Sequence, residues 1–158
     1  MTPDKIQFYR NPTPYDIIKY QDQICWDQLS LLIERDFTSK EIRMFCDNIN
    51  LASYLIKHDI SDDDFKYLSD HGKIDFIDRY RLTHKSDRIT DDNIKMICGD
   101  YNSLWAQSFM YNDISEDVLI ENFNIISPHT SDFKKIAKEK MIGDDRYSRL
   151  LLLLELND

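Results

Sequence analysis

Apolar and polar positions alternate along this chain with the period of a helix, and one arrangement of them recurs. Leu29, Leu32 and Ile33 stand at i, i+3 and i+4, a single helical face. The same offsets return as Ala52, Leu55 and Ile56, and again as Ala106, Phe109 and Met110. Between them, Ile77 and Tyr80 fill the first two places while Arg81 breaks the third. After each face comes a Ser or Thr: Thr38, Ser61, Thr90 and Ser115. Each is bracketed by an apolar pair, Phe37 with Ile42, Ile60 with Phe65, Ile89 with Ile94, and Ile114 with Leu119. That is the spacing of an N-cap inside a hydrophobic staple, with the hydroxyl oxygen taking one of the unpaired N–H groups of a new helix. Thr38-x-x-Glu41 completes a capping box, and Thr13-Pro14 supplies an earlier start with proline at the tolerated first helical position.

The caps at 13, 38, 61, 90 and 115 are therefore 25, 23, 29 and 25 residues apart. Each unit reads as a helix, a turn and a second, capped helix. The pattern predicts an all-α fold, an irregular array of short helical hairpins with a period near 25 residues. About ten or eleven helices are expected in one domain, residues 1–158. Residues 1–12, with Pro3 and Pro12, read as an irregular arm, 13–123 as repeats and 124–158 as closing helices. Ser127-Pro128 starts a late helix to about Lys140, with Phe133, Ile136 and Ala137 on one side, and Gly143 ends it. Asp144-Asp145 opens a last helix through Leu150–Leu154, apolar on all sides. Such a helix closes the core or forms a seam with a second copy in a homodimer. Leu29, Leu32, Ile33, Leu55, Ile56, Phe109 and Met110 are the expected core at matching seams.

The run Trp26-Asp27-Gln28-Leu29-Ser30 followed by Phe37-Thr38-Ser39-Lys40-Glu41-Ile42 resembles the short helical repeat of phage and large-DNA-virus proteins. That repeat has the form Trp-x-x-Ile-Ser, spacer, Leu-Ser-Glu-x-Phe-Ile. The resemblance spans residues 24–123, with Ile49 and Ser103 in the Trp place of later units and an insertion in the third. It implies a helical array with an interaction surface, a phage or viral origin, and no catalytic residues to carry over.

Composition sharpens this picture. Three glycines, three alanines and 20 isoleucines fit AT-rich coding, and 23 aspartates against 6 glutamates fit a chain with many first turns, where a short carboxylate meets unpaired N–H groups. The net charge of −9 argues against direct nucleic-acid binding. No apolar run approaches a membrane span, and Met1-Thr2-Pro3-Asp4 lacks the features of a secretory leader. Cys25, Cys46 and Cys98 are odd in number and far apart, so neither a disulfide framework nor a zinc knuckle is indicated. A cytoplasmic protein is expected, the host cytoplasm if viral.

Candidate chemistry is sparse. Asp62-Asp63-Asp64 and Asp91-Asp92 directly follow N-caps, where carboxylates serve the helix dipole, and a hard cation needs six or more converging oxygens. No metal and no cofactor is expected. His58, His71, His84 and His129 lack ligand spacing and fall near helix ends, where a partly charged imidazole suits the dipole. No G-x-S-x-G nucleophile elbow occurs, and Cys25 and Cys98 read as buried small hydrophobes. Tyr101, Trp105 and Phe109, spaced by four, read as core. Lys134-Lys135-Lys138-Lys140 and Arg79-Arg81-Lys85-Arg88 read as solvated faces.

Protein binding is the function expected, with no catalytic residues. A viral accessory protein would bind and inhibit a host protein with a basic surface, such as a defence nuclease or another nucleic-acid-binding enzyme. The candidate contact residues are the first-turn acids Asp62, Asp63, Asp91, Asp92, Glu116 and Asp117, which stacking would align as a negative stripe, and the N-terminal tyrosines Tyr9, Tyr15 and Tyr20. The alternative is a small hydrolase or nucleotide-modifying enzyme with a site assembled from scattered Asp, His and Tyr.

Overall fold

A computed structural model describes residues 6–126, 131–141 and 143–156. Among them the fold is all-α, with thirteen short helices, one 3-10 turn and no strand. The chain divides into two compact units, Met1–Asp78 and Arg79–Asp158. The first holds α1 (Ile6–Arg10), α2 (Pro14–Tyr20), α3 (Trp26–Leu32), α4 (Ser39–Met44), α5 (Leu51–Tyr54) and α6 (Asp62–Asp70). The division falls inside α7 (Phe76–Thr83). The second holds α8 (Ile94–Cys98), α9 (Asn102–Tyr111), α10 (Glu116–Glu121), α11 (Phe123–Ile126), α12 (Ser131–Met141), a 3-10 turn (Asp145–Tyr147) and α13 (Ser148–Leu156). The count exceeds the ten or eleven expected because α1 forms inside the expected arm and because α11, at four residues, is too short to show a period.

The caps work as their chemistry requires. Thr13 and Thr38 each form a full capping box, with Asp16 and Glu41 reaching back to the cap N–H. Ser61 and Ser115 accept from the N–H groups of Asp64 and Val118. Thr90 departs from the expectation. Its N–H donates to Asn93 Oδ1 at 2.7 Å, and a turn precedes α8, so the α-helix starts only at Ile94.

Within each unit, hydrogen bonds tie one repeat to the next across 17 to 25 residues of sequence. In the first unit, Ser39 Oγ donates to Asp64 (2.9 Å), Asn50 Nδ2 to Asp27 (3.1 Å) and the Phe37 N–H to Tyr54 Oη (3.0 Å). In the second, the Ile89 N–H donates to Asn112 Oδ1 (3.0 Å) and the Ser115 N–H to Asp91 Oδ1 (2.8 Å). The apolar residue before a cap thus hands its backbone to a side chain of the following repeat, which satisfies a group that burial would otherwise leave unpaired.

The core face matches the expected one at Leu29 and Ile33 but lies one position away in the repeats around Leu55 and Phe109. Leu29, Ile33, Leu55 and Phe109 are fully buried, but Ile56 and Met110 are exposed. The buried residues instead run Leu51, Tyr54, Leu55, His58 and Trp105, Ser108, Phe109, Asn112, each at i, i+3, i+4, i+7. Two polar side chains, His58 and Asn112, end this face, so an apolar count alone places it wrongly. Tyr101 is also exposed, because it stands at the start of α9, before the helix turns inward. Residues 6–10 are helical and bury Phe8 and Tyr9, where an irregular arm was expected. Proline rigidity at Pro12 ends α1 rather than preventing it. In α13, Leu150 and Leu154 are buried while Leu152 and Leu156 face solvent, so the helix is not enclosed on all sides.

Candidate functional site

The first turns of successive repeats sit side by side inside each unit. Ser39 at the start of α4 bonds Asp64 at the start of α6, and Ser115 at the start of α10 bonds Asp91. In the first unit Asp62 and Asp63 are exposed beside the buried Asp64, which also faces the Arg43 guanidinium at 3.6 Å. In the second, Asp91, Asp113, Ser115, Glu116, Asp117, Arg146, Tyr147 and Arg149 line a bowl of about 450 Å³. Asp92 is exposed.

Arg149 draws one of these acids into the fold and touches a second at the surface. Arg149 on α13 donates Nε to Glu116 Oε2 (3.0 Å) and Nη2 to Asp117 Oδ1 (2.6 Å), and Glu116 Oε1 accepts the Leu150 N–H at 2.9 Å. Glu116 is nearly buried and docks α13 onto α10, so it is a packing residue rather than a contact residue. Asp117 keeps a largely exposed carboxylate. Nothing local in the sequence signals this, since the partners are more than thirty residues apart. Arg146 similarly joins Asp113 (3.0 Å) and Asp144 (2.8 Å), and its hydrogen bonds hold the Asp144 carboxyl below the usual carboxylate range. Tyr147 Oη donates to the Ile114 carbonyl at 2.7 Å, and burial pushes that phenol up to about 12.

The three tyrosines separate. Tyr15 is 70% exposed, Tyr20 is half-buried with its ring edge-on to Phe8 (5.7 Å), and Tyr9 is 1% exposed. Tyr9 Oη accepts the Cys25 N–H at 3.0 Å, so Tyr9 belongs to the core and offers no anchor to a partner. Cys25 itself is exposed, against expectation, because it precedes α3 and its backbone, not its side chain, is what the fold uses. Cys98 is buried, and desolvation pushes its thiol up to about 12, an inert state.

The basic clusters are not simple solvated faces. Arg79 Nη1 donates to the carbonyls of Met96 and Ile97, and Lys140 Nζ to those of Phe109 and Asn112, so each cation closes the C-terminal end of a neighbouring helix. The histidines show a pattern that reading them singly misses. A tyrosine stands four residues before each of His58, His71 and His84, and the paired rings lie 4.6, 4.0 and 4.0 Å apart. His71 and His84 turn Nδ1 to the carbonyl of their own tyrosine, at 2.7 and 2.8 Å, and so end their helices. His129 lies outside the described residues.

No helix among the described residues is long and apolar enough to cross a membrane. Comparison with protein-family models, with curated proteins and with solved structures gives no match.

Proposed function

We propose that this chain is a non-catalytic protein-binding module whose acidic first turns engage a basic partner. In its biological setting it is a phage or viral accessory protein that binds and inhibits a host protein. A nuclease or another enzyme with a positively charged nucleic-acid groove is the kind of target that fits. The observation that carries this reading is the Ser115–Asp91 hydrogen bond, which sets the Asp91-Asp92 turn beside the Glu116-Asp117 turn. Carboxylates of adjacent repeats then share one exposed edge, and their fields add toward a cationic surface. Asp91, Asp92 and Asp117 are the contact residues of the second unit, Asp62 and Asp63 those of the first, with Tyr15 an exposed aromatic anchor. The helical-repeat resemblance over residues 24–123 supports the viral setting.

The test is affinity capture from nuclease-treated host lysate at low salt, comparing the wild type with Asp91→Lys/Asp92→Lys by mass spectrometry. A basic host protein should be retained by the wild type and lost by the variant. Identical sets of captured proteins would count against the acidic edge.

A further inference from the structure

Two arginines of this chain already sit on the carboxylates of the second unit's acidic bowl. Arg149 on α13 holds Asp117 with Nη2 (2.6 Å) and Glu116 with Nε (3.0 Å). Arg146 in the 3-10 turn holds Asp113 (3.0 Å) and Asp144 (2.8 Å). Both arginine side chains remain more than half exposed, at 64% and 61%, and so do those of Asp117 and Asp113, at 77% and 74%. Pairs so open are weak, because water and salt screen them and two long side chains lose freedom in making them. A second cation arriving from solution therefore meets little resistance at Asp117 and Asp113. Glu116 differs. It is nearly buried and also accepts the Leu150 N–H, so α13 stays docked when Arg149 lets go of Asp117. Burial of Leu150 and Leu154 holds the helix as well. Asp91, on the same bowl, makes no ion pair among the described residues, and its Oδ1 accepts the Ser115 N–H. The bowl is thus half open and half occupied by the chain's own cations.

We propose that Arg149 and Arg146 are internal competitors for the acidic edge, an autoinhibitory contact that a cationic partner relieves by taking Asp117 and Asp113 from them. This regulation rests on the acidic edge being the partner's contact surface, as proposed above. The two arginines weaken the field that the edge projects, until a segment of denser positive charge displaces them. A guanidinium is the fitting newcomer, because Glu116 Oε2 and Asp117 Oδ1 already accept Nε and Nη2 of one planar fork. The displaced Arg149 swings into solvent while its helix stays in place.

The test is calorimetric binding of an oligoarginine peptide to the full chain at about 50 mM salt. Arg149→Gln should tighten binding about two- to fivefold, the worth of one exposed ion pair, and Arg146→Gln, which leaves α13 untouched, should act in the same direction. In an Asp117→Asn background the gain from Arg149→Gln should disappear. Lys95→Gln removes an exposed cation outside the bowl and should give the same smaller change in both backgrounds. Protection of the Leu150 amide in Arg149→Gln should match the wild type, which checks that α13 remains docked. An Arg149→Gln gain that persists in Asp117→Asn, or that only equals the Lys95→Gln change, would overturn the competition. The two failures are distinguishable. Peptide binding that Asp91→Lys/Asp92→Lys abolishes, with Arg149→Gln and Arg146→Gln both without effect, sinks the competition alone. No binding, or binding that Asp91→Lys/Asp92→Lys leaves unchanged, sinks the acidic edge and the competition with it.

Discussion

Replacing Tyr54 by Phe removes one oxygen atom from the core and nothing else. The ring is 1% exposed, packs against Phe37 at 4.9 Å and stacks on His58, and phenylalanine keeps all of that surface. What is lost is the acceptor for the Phe37 N–H, a buried bond of 3.0 Å. An amide left unpaired in the interior costs about 1–3 kcal/mol, more than the net worth of an ordinary hydrogen bond. Burial pushes the Tyr54 phenol up to about 12, so the hydroxyl stays protonated and available throughout the neutral range. Because the chain forms two units, native-state hydrogen exchange is a cleaner assay than a single unfolding midpoint. In Tyr54→Phe, the Phe37 amide should lose roughly 5- to 150-fold of its protection, and amides of the second unit should not change. Unchanged exchange at Phe37 would refute the view that bonds between repeats hold the first unit together.

Three further outcomes follow from particular groups. Thr38→Ala should destabilise the first unit by about 1 kcal/mol in urea titrations, since the threonine side chain serves the Glu41 N–H. Burial pulls the Glu41 carboxyl upward, but the Arg35 and Thr38 hydrogen bonds outweigh it and leave it below its ordinary value. Its contribution is therefore full above the pH where a free glutamate titrates and is lost as pH falls through the lower native value. Acid titrations of wild type and Glu41→Gln should converge at the acid end and diverge toward neutrality. Lys140→Met should cost about 1–3 kcal/mol by leaving the Phe109 and Asn112 carbonyls without their donor, and thermal melts of the second unit would show it.

Much of the local structure was legible in the sequence. Helix starts at Thr13, Thr38, Ser61 and Ser115 stand where hydroxyls and staples place them, because a cap is a short-range device whose partners lie within four residues. Around Leu55 and Phe109 the apolar pattern points one position off the core face, because His58 and Asn112 are polar residues that the interior uses. Their partners, Ile33, Asp36 and Ile89, belong to the neighbouring repeat and leave no mark on hydrophobic periodicity. The acidic turns were visible as composition. Their division of labour was not, since Arg149 sequesters Glu116 from the far end of the second unit. Tyr9 is hidden from the sequence for a related reason, as its aromatic neighbours give no hint that its hydroxyl reaches the Cys25 backbone.

The claim that matters most is that carboxylates of adjacent first turns steer a cationic partner. With the captured partner in hand, association rates should be measured between about 50 and 500 mM salt for wild type and for Asp63→Lys/Asp92→Lys. A steep fall of the wild-type on-rate with salt is expected, and the reversed variant should associate more slowly at low salt with its dissociation rate much less affected. A salt-independent on-rate that the charge reversal leaves unchanged would contradict it.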